Sequence, residues 1–294
     1  VHILNYLVNF GVKFRRLFQI ISIISSVLFA EDGPVYHVPI HGTIDMGLPH
    51  YIQRVVNEAE TNNASAIIFD IDTFGGRVDA ATQIKDIILD SKVTTIAFIN
   101  KRAISAGALI SLSCDSIFMT PGASIGAATA VDLQGNKASE KVISYMREEM
   151  ASTAEANNRS RDIATAMVDE ELSIDFLLNI QGDTLTAKNV DGFAEGKLIT
   201  LSTHLAVQLG IAGGEFGSIE EVLKYLELED AEQKDMEESW SEKLVRFLTN
   251  PVVAPLFMSL GMLGLFMEIK SPGFGVPGTV GLICLALFFG SHFL

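Results

Sequence analysis

Residues 94–113 read TTIAFINKRAISAGALISLS, and the change of character halfway along this stretch decides the fold. Its first part, Thr94 to Ile99, is a short apolar run rich in β-branched residues, as a buried strand requires. Its last part, Ser105 to Ser113, reads as a helix. Ser105 stands between the two, ahead of Ala106-Gly107, so its hydroxyl sits on a tight strand-to-helix turn. A nucleophile needs an exposed hydroxyl of this kind, and a helix N-terminus adds positive potential to it. Serine is also a common N-cap, and the stretch alone leaves both uses open.

Upstream, Ala66 to Ile71 is an almost continuous apolar run, as expected for a strand buried on both faces. It leads into DTFGGR at residues 72–77. The Gly75-Gly76 pair lets the backbone turn and present unblocked N–H groups. The N–H groups of Gly76 and Ala106 would form an oxyanion hole if the two turns adjoin. A plain tight turn uses the same residues. Val35 to Ile40 reads as a strand, and Leu48 to Thr61 as an amphipathic helix with Ile52, Val55, Val56 and Ala59 at helical spacing. Val78 to Asp90 reads as a second helix with Ala81, Ile84, Ile87 and Ile88 inward. Ser116 to Met119 is a further strand before the Pro121-Gly122 turn. This β-α-β-α-β order predicts an α/β domain with a mostly parallel sheet and right-handed crossovers. Sites in such sheets lie where helices start at strand ends. The small-residue loop GASIGA at 122–127, with Ser124 and Gly126, either flanks a cleft where a peptide adds as a strand or packs a strand end against its neighbour.

The flanks have another character. Hydrophobic residues make up 48% of the 294 positions and mean hydropathy is +0.33, an excess concentrated at the two ends. Lys13, Arg15 and Arg16 precede an apolar run ending at Ala30, so residues 1–30 read as a signal peptide or an N-terminal anchor. Either one exports the middle of the chain. Residues 138–158 form a long polar helix, and Gly196 to Gly210 a strand-like run and then an Ala/Leu helix. Residues 227–242, ELEDAEQKDMEESWSE, carry Lys234 as their single basic residue and read as a solvated spacer. Beyond Asn250-Pro251, two apolar segments flank the Pro/Gly-rich loop at 271–278. They read as a membrane hairpin, with a buried hairpin of a soluble domain as the competing arrangement. The second apolar run continues to Leu294, so further membrane segments are expected. The resulting division is 1–30 leader or anchor, 31–225 α/β domain, 226–249 acidic linker and 250–294 membrane hairpin.

The net charge of −15 argues against a nucleic-acid partner. Cys114 and Cys284 lie in separate apolar segments and no Cys/His spacing resembles a metal site, so neither disulfide, metal nor cofactor is expected. His37, His41, His50 and His204 have no spacing that specifies a catalytic triad.

Several stretches together resemble the long-form NfeD family of membrane-bound serine proteases, which have the ClpP/crotonase-like fold. They are FDIDTFGGRVDA at 69–80, FINKRAISAGA at 98–108, MTPGASIGA at 119–127, AEANNR at 154–159 and MLGLFMEIKSPGFGVPG at 262–278. The resemblance covers residues 35–294. It implies a ClpP/crotonase-like βαβ-repeat domain with a C-terminal transmembrane hairpin. It also implies a Ser–Lys dyad, in which a lysine made neutral by burial takes the serine proton. The family serine maps onto Ser105 and the oxyanion glycines onto Gly75 and Gly76, with the N–H of Ala106 expected to complete the hole. The expected substrate cleft is lined by Phe74, Gly107, Ser124 and Gly126. The family lysine precedes the Ala154-Glu155 stretch by three residues, and that position is Ala151. Lys141 lies about 15 Å away along a helix; Lys101 and Lys137 lie outside the helix, and a lysine from a neighbouring copy remains open in a homo-oligomer. Phe74 stands where the family usually has proline. The implied activity is endopeptidase cleavage of hydrophobic segments, with stomatin- or flotillin-like membrane proteins as partners and the protease domain extracytoplasmic. The alternative is an inactive peptide-binding scaffold for the same partners. A crotonase-type acyl-CoA enzyme shares the fold but not the export signal.

Overall fold

The computed structural model describes residues 32–131, 135–172, 174–186, 197–250, 252–270 and 275–292. The expected leader at 1–30, Gly196 and residues 271–274 of the hairpin loop lie outside the described residues.

A parallel sheet forms the centre. Its first strands are β1 (Val35–Ile44), β2 (Ala66–Gly76) and β3 (Thr95–Ile104), joined by helices α1 (Leu48–Thr61) and α2 (Val78–Leu89). The apolar run of β2 pairs with β1 from Val35↔Ala66 and with β3 from Ile67↔Thr95, so both its edges are covered. Helix α3 (Ala106–Ser113) follows β3, and β4 (Ser116–Met119), β5 (Ser124–Gly126) and β9 (Gly214–Glu215) extend the sheet. Strand β8 (Thr200–Ser202) is antiparallel on β5. The fold is of the expected ClpP/crotonase-like α/β class.

Side-chain alternation splits the sheet into two faces. Val38, Ile40, Phe69, Ile71, Ala97 and Ile99 face α1, α2 and α3 and form the main core. Val35, Ile68, Ile96 and Phe118 form a smaller core on the other face, under α7 (Ile219–Tyr225). Each fully buried Ile or Phe contributes about 1.5–3 kcal/mol by leaving water.

Two irregularities shape the end of the sheet where α2 and α3 begin. The β2–β3 register runs from Ile71↔Ile99 to Thr73↔Ala103, so β3 carries an extra length between these pairs. Before this bulge β3 pairs with β4, and after it Arg102 to Ile104 pair with β5. The bulge bends β3 and delivers Ser105 to the end of β2.

Helix α4 (Glu140–Ala156) packs on α3, and α5 (Arg161–Ala166) follows it. Strands β6 (Phe176–Leu178) and β7 (Thr184–Thr186) form a separate two-stranded sheet, and α6 (Thr203–Gln208) follows β8.

The acidic segment is not the solvated spacer expected from its charge. Gln233–Asp235 form β10, which pairs in parallel with the outer edge of β1, and Met236 N–H donates to His37 O at 2.8 Å. Backbone pairing needs no apolar side chains, so an acidic strand can close a sheet edge. Helix α8 (Trp240–Thr249) follows, with a complete capping box between Ser239 and Glu242.

Helices α9 (Val253–Lys270) and α10 (Val276–His292) pack against each other. A methyl group on Gly281 would lie 2.9 Å from both Gly261 O and Leu265 N, so this close helix pair depends on glycine. Leu256, Leu263, Phe266, Leu282 and Ile283 point outward and are exposed. The arrangement is therefore not the buried hairpin of a soluble domain. By length and composition α9 can cross a membrane, and the apolar stretch of α10 is shorter. The Glu268 carboxylate at the end of α9 accepts from Gly275 N–H and, at 2.8 Å, from Gly278 N–H, which caps the start of α10.

Candidate active site

Ser105 has φ +56° and ψ −117°, a backbone state that L-residues rarely adopt. Its side chain makes no capping hydrogen bond to α3, so the N-cap use open from the sequence is not taken. Its N–H donates to Gly126 O at 3.0 Å, and its carbonyl accepts from Ala108 N–H at 2.9 Å. The turn is thus fixed from both sides while the hydroxyl is committed to no partner among the described residues.

The two turns adjoin. Gly75, at φ +104°, lies against Ser105, so that a Cβ on it would meet Ser105 Cβ at 2.6 Å and Oγ at 3.1 Å. Thr73, which the sequence did not single out, sets this turn. Its Oγ1 accepts from Gly75 N–H at 2.9 Å and donates to Gly42 O. A lone buried threonine carries no spacing signal that could have marked it. This bond also corrects one expectation, because the Gly75 N–H is occupied and cannot serve an oxyanion. Arg77 N–H donates to Ile44 O at 2.8 Å, and parallel pairing of Gly76 with Ile44 then turns the Gly76 N–H away from β1. Ala106 begins α3, and its N–H has no acceptor among the described residues.

The expected cleft residues separate. Phe74 and Ser124 line one open cavity of about 470 Å³ together with Lys101, Arg102, Pro121 and Gly122. Phe74 is 73% exposed, with the Arg102 guanidinium 4.4 Å from its ring centre. Asp72 holds Arg102 at 3.1 Å and Lys101 at 3.9 Å. Gly107 is buried in the core instead, where a Cβ would lie 2.5 Å from Thr73 Cγ2. Gly126 lies in β5, whose edges are taken by β3 and β8. That leaves no free edge for a peptide there and corrects the strand-addition reading of 122–127. A second cavity of about 480 Å³, lined by Arg77, Val78, Asp79, Thr82 and Tyr145, opens on the α2 side.

Among the described residues no candidate proton acceptor bonds Ser105. Ala151 lies on α4, fully buried, with Met150 and Ala154 of the same core beside it. Lys85, on α2, bonds Glu149 of α4 at 2.7 Å and its neighbour Asp86 at 2.8 Å. Burial pushes its ammonium pKa down, but these two carboxylates outweigh that and raise it, so Lys85 stays charged. Lys137 pairs with Glu170 at 3.1 Å, and Lys141 is exposed. His41 Nε2 lies 3.0 Å from Asp70 Oδ2, while His37 lies 2.8 Å from Asp235 and 3.7 Å from Asp70. None of these groups bonds Ser105. Among the described residues no group of three or more His, Cys, Asp or Glu is arranged to hold a metal ion. Burial pushes the Cys114 thiol up, which makes it an inert core group.

Arg159, the last residue of the AEANNR stretch, proves structural. It donates to Leu112 O at 2.9 Å, Cys114 O at 2.8 Å, Asp115 O at 3.0 Å and Ile211 O at 3.2 Å. It thereby closes the C-terminal end of the helix that begins at Ser105.

Known proteins resemble this chain in sequence and in fold. The family model described as the NfeD1b N-terminal domain matches residues 34–236, and the NfeD integral membrane domain matches residues 252–294. The membrane protein NfeD1b of Bacillus subtilis (strain 168) is 40% identical over 263 residues, which is 90% of this chain and 57% of that protein. The membrane-bound protease PH1510 of Pyrococcus horikoshii is 29% identical over 265 residues, 86% of this chain and 57% of that protein. The chain thus spans a little over half the length of both relatives. The solved 1510-N membrane protease of Pyrococcus horikoshii, specific for a stomatin homolog, is 25% identical with TM-score 0.53, over 74% of this chain and 100% of that one. A lysine-to-alanine mutant of 1510-N in complex with a substrate peptide is 25% identical with TM-score 0.60, over 76% and 100%. These likenesses support a protease-like domain in a membrane protein family.

Proposed function

The chain belongs to the NfeD family, and on that footing we propose that it is a membrane-anchored serine endopeptidase with Ser105 as nucleophile. One observation carries this reading: Ser105 is held at φ +56° with an uncommitted hydroxyl against Gly75. Such strain costs on the order of 1–3 kcal/mol and persists where the surrounding structure has a use for it. In the proposed reaction Ser105 Oγ attacks the scissile carbonyl, and the N–H groups of Gly76 and Ala106 receive the developing oxyanion. Gly75 lets the backbone turn, while Phe74 and Ser124 face the peptide in the cleft. The serine proton passes to a base outside this chain's described residues, supplied by a neighbouring copy in a homo-oligomer. The substrates are hydrophobic segments of stomatin- or flotillin-like membrane proteins, by analogy with the stomatin-specific relative. The domain acts on the extracytoplasmic side.

A second reading has its own observation. Ala151 fills the dyad-lysine position with a fully buried methyl group in an apolar core, which favours an inactive scaffold that binds the same partners. The whole chain in detergent, its Ser105→Ala variant and its Ala151→Lys variant separate the two. A fluorophosphonate label and hydrophobic peptides serve as probes. Labelling and cleavage by the parent, both lost in Ser105→Ala, support the protease. Activity confined to Ala151→Lys supports the scaffold, since burial there would hold the new amine neutral.

A further inference from the structure

Helix α8 has two unlike faces. Trp240, Leu244 and Phe247 recur at i, i+4 and i+7, so they share one stripe. They are 78%, 41% and 55% exposed. The opposite face is fastened to the α/β domain. Glu242 accepts from Arg54 at 2.8 and 2.9 Å. Arg246 donates to Asp45 at 2.9 Å, to Thr43 O at 3.0 Å and to Glu238. Asp45 is buried, and Gly47 lies against the Arg246 side chain. The bare apolar stripe is therefore not a loosely placed helix waiting for its own domain, because that domain already holds the other side.

The stripe continues into the membrane hairpin. Phe247 stacks edge-on with Phe257 of α9, ring centres 6.4 Å apart, and exposed Val252 stands between the two helices. We propose that α8 lies in the bilayer interface, with Trp240, Leu244 and Phe247 seated in lipid, and holds the Gly75-Gly76 turn at the membrane surface. The occupant is lipid because the apolar face is continuous with the lipid-facing surface of the hairpin, and because tryptophan at a span's edge suits the headgroup level. The neighbouring charges set the kind of lipid. Glu237 and Glu238 flank the helix, and Lys243 is engaged with Glu237 at 3.6 Å. The seat therefore rests on apolar area rather than on attraction to anionic headgroups. The link to the site is short, since Thr43, which Arg246 grips, pairs with Gly75 in the sheet. This inference does not depend on whether Ser105 is catalytic.

Trp240 is the sole tryptophan of the sequence, so its fluorescence reports on α8 alone. The whole chain is reconstituted into phosphatidylcholine vesicles, with and without bromine on the acyl chains. The expected result is blue-shifted emission, loss of most of it with shallow-brominated lipid, less loss with deep-brominated lipid, and no dependence on salt. Leu244→Asp should abolish the quenching while the hairpin keeps the chain in the vesicles. Emission that stays water-like and open to iodide overturns the proposal. So does shielding from iodide without bromine quenching, which would mean that a second copy covers the stripe. Quenching restricted to anionic vesicles and lost in salt overturns it as well.

Discussion

Gly75 and Ser105 face each other so closely that a methyl group on the glycine would sit 2.6 Å from the serine Cβ and 3.1 Å from its Oγ. Gly75 also holds φ +104°, where a Cβ is strained whatever the space. Gly75→Ala should therefore lower stability by about 1–3 kcal/mol and displace the Ser105 hydroxyl. Thermal unfolding and fluorophosphonate labelling of the whole chain check this. Labelling as fast as in the parent would mean that the contact does not govern the hydroxyl.

Ser105 itself stores strain that a glycine would release. The pair φ +56°, ψ −117° is accessible to glycine without the Cβ penalty. Ser105→Gly should raise stability by about 1 kcal/mol, whereas Ser105→Ala, which keeps a Cβ, should not. A higher Tm for the glycine variant alone, with no labelling, is the expected pattern. Equal Tm values for the two variants would count against a strained elbow.

Much of this was legible in the sequence, and the gaps have physical causes. The helix over Leu48–Thr61 has the expected limits because its apolar residues recur strictly at helical spacing. The strands over Ala66–Ile71 and Thr94–Ile99 run on to Gly76 and Ile104. Past Ile71 and Ile99 the continuous apolar run is broken by Asp72, Asn100, Lys101 and Arg102, and pairing with neighbouring strands keeps these ends extended. The adjoining turns at Gly75 and Ser105 follow from placing β2 beside β3. The bulge that brings them into contact arises from the mismatch between Ile71↔Ile99 and Thr73↔Ala103, which no local pattern announces. Charge alone misled at 227–242, where main-chain pairing to β1 and the Arg54 and Arg246 ion pairs outweigh the cost of an acidic surface.

The clamp that ties β10 to β1 carries a pH signature. Asp70 beside the His37 ring and then Asp235 raise the His37 pKa above its ordinary 6.5, against burial, which lowers it. At 3.7 Å the Asp70 contact acts through charge rather than through a hydrogen bond. Burial pushes the Asp70 carboxyl up, but His37 and His41 more than offset it and hold it below its ordinary 3.8. A raised histidine stabilises fully below its unfolded pKa and loses this as pH rises through the folded one. A lowered carboxyl stabilises above its unfolded pKa and loses this as pH falls through the folded one. The Tm gap between the parent and His37→Asn should be widest from about pH 4 to 6.5 and should shrink on the alkaline side. A gap that widens above neutrality would show that the clamp does not run on His37 charge.

Arg159 ends the AEANNR stretch, which begins three residues after Ala151. Its guanidinium reaches four main-chain carbonyls, two of them, Leu112 and Cys114, at the end of the helix that begins at Ser105. Cationic donors at a helix C-terminus gain from its partial negative charge, and buried carbonyls left without a donor are costly. Arg159→Met keeps the aliphatic stem but removes every donor, so it should cost about 3 kcal/mol. Arg159→Lys should recover only a minor share, since an ammonium cannot reproduce the spread of a planar fork over separate carbonyls. Denaturant unfolding of the three forms measures this order. Peptide cleavage or binding, normalised to the folded fraction, should be nearly unchanged if Arg159 only closes α3. A loss of function that exceeds the loss of folded protein would instead place Arg159 in the working of the site.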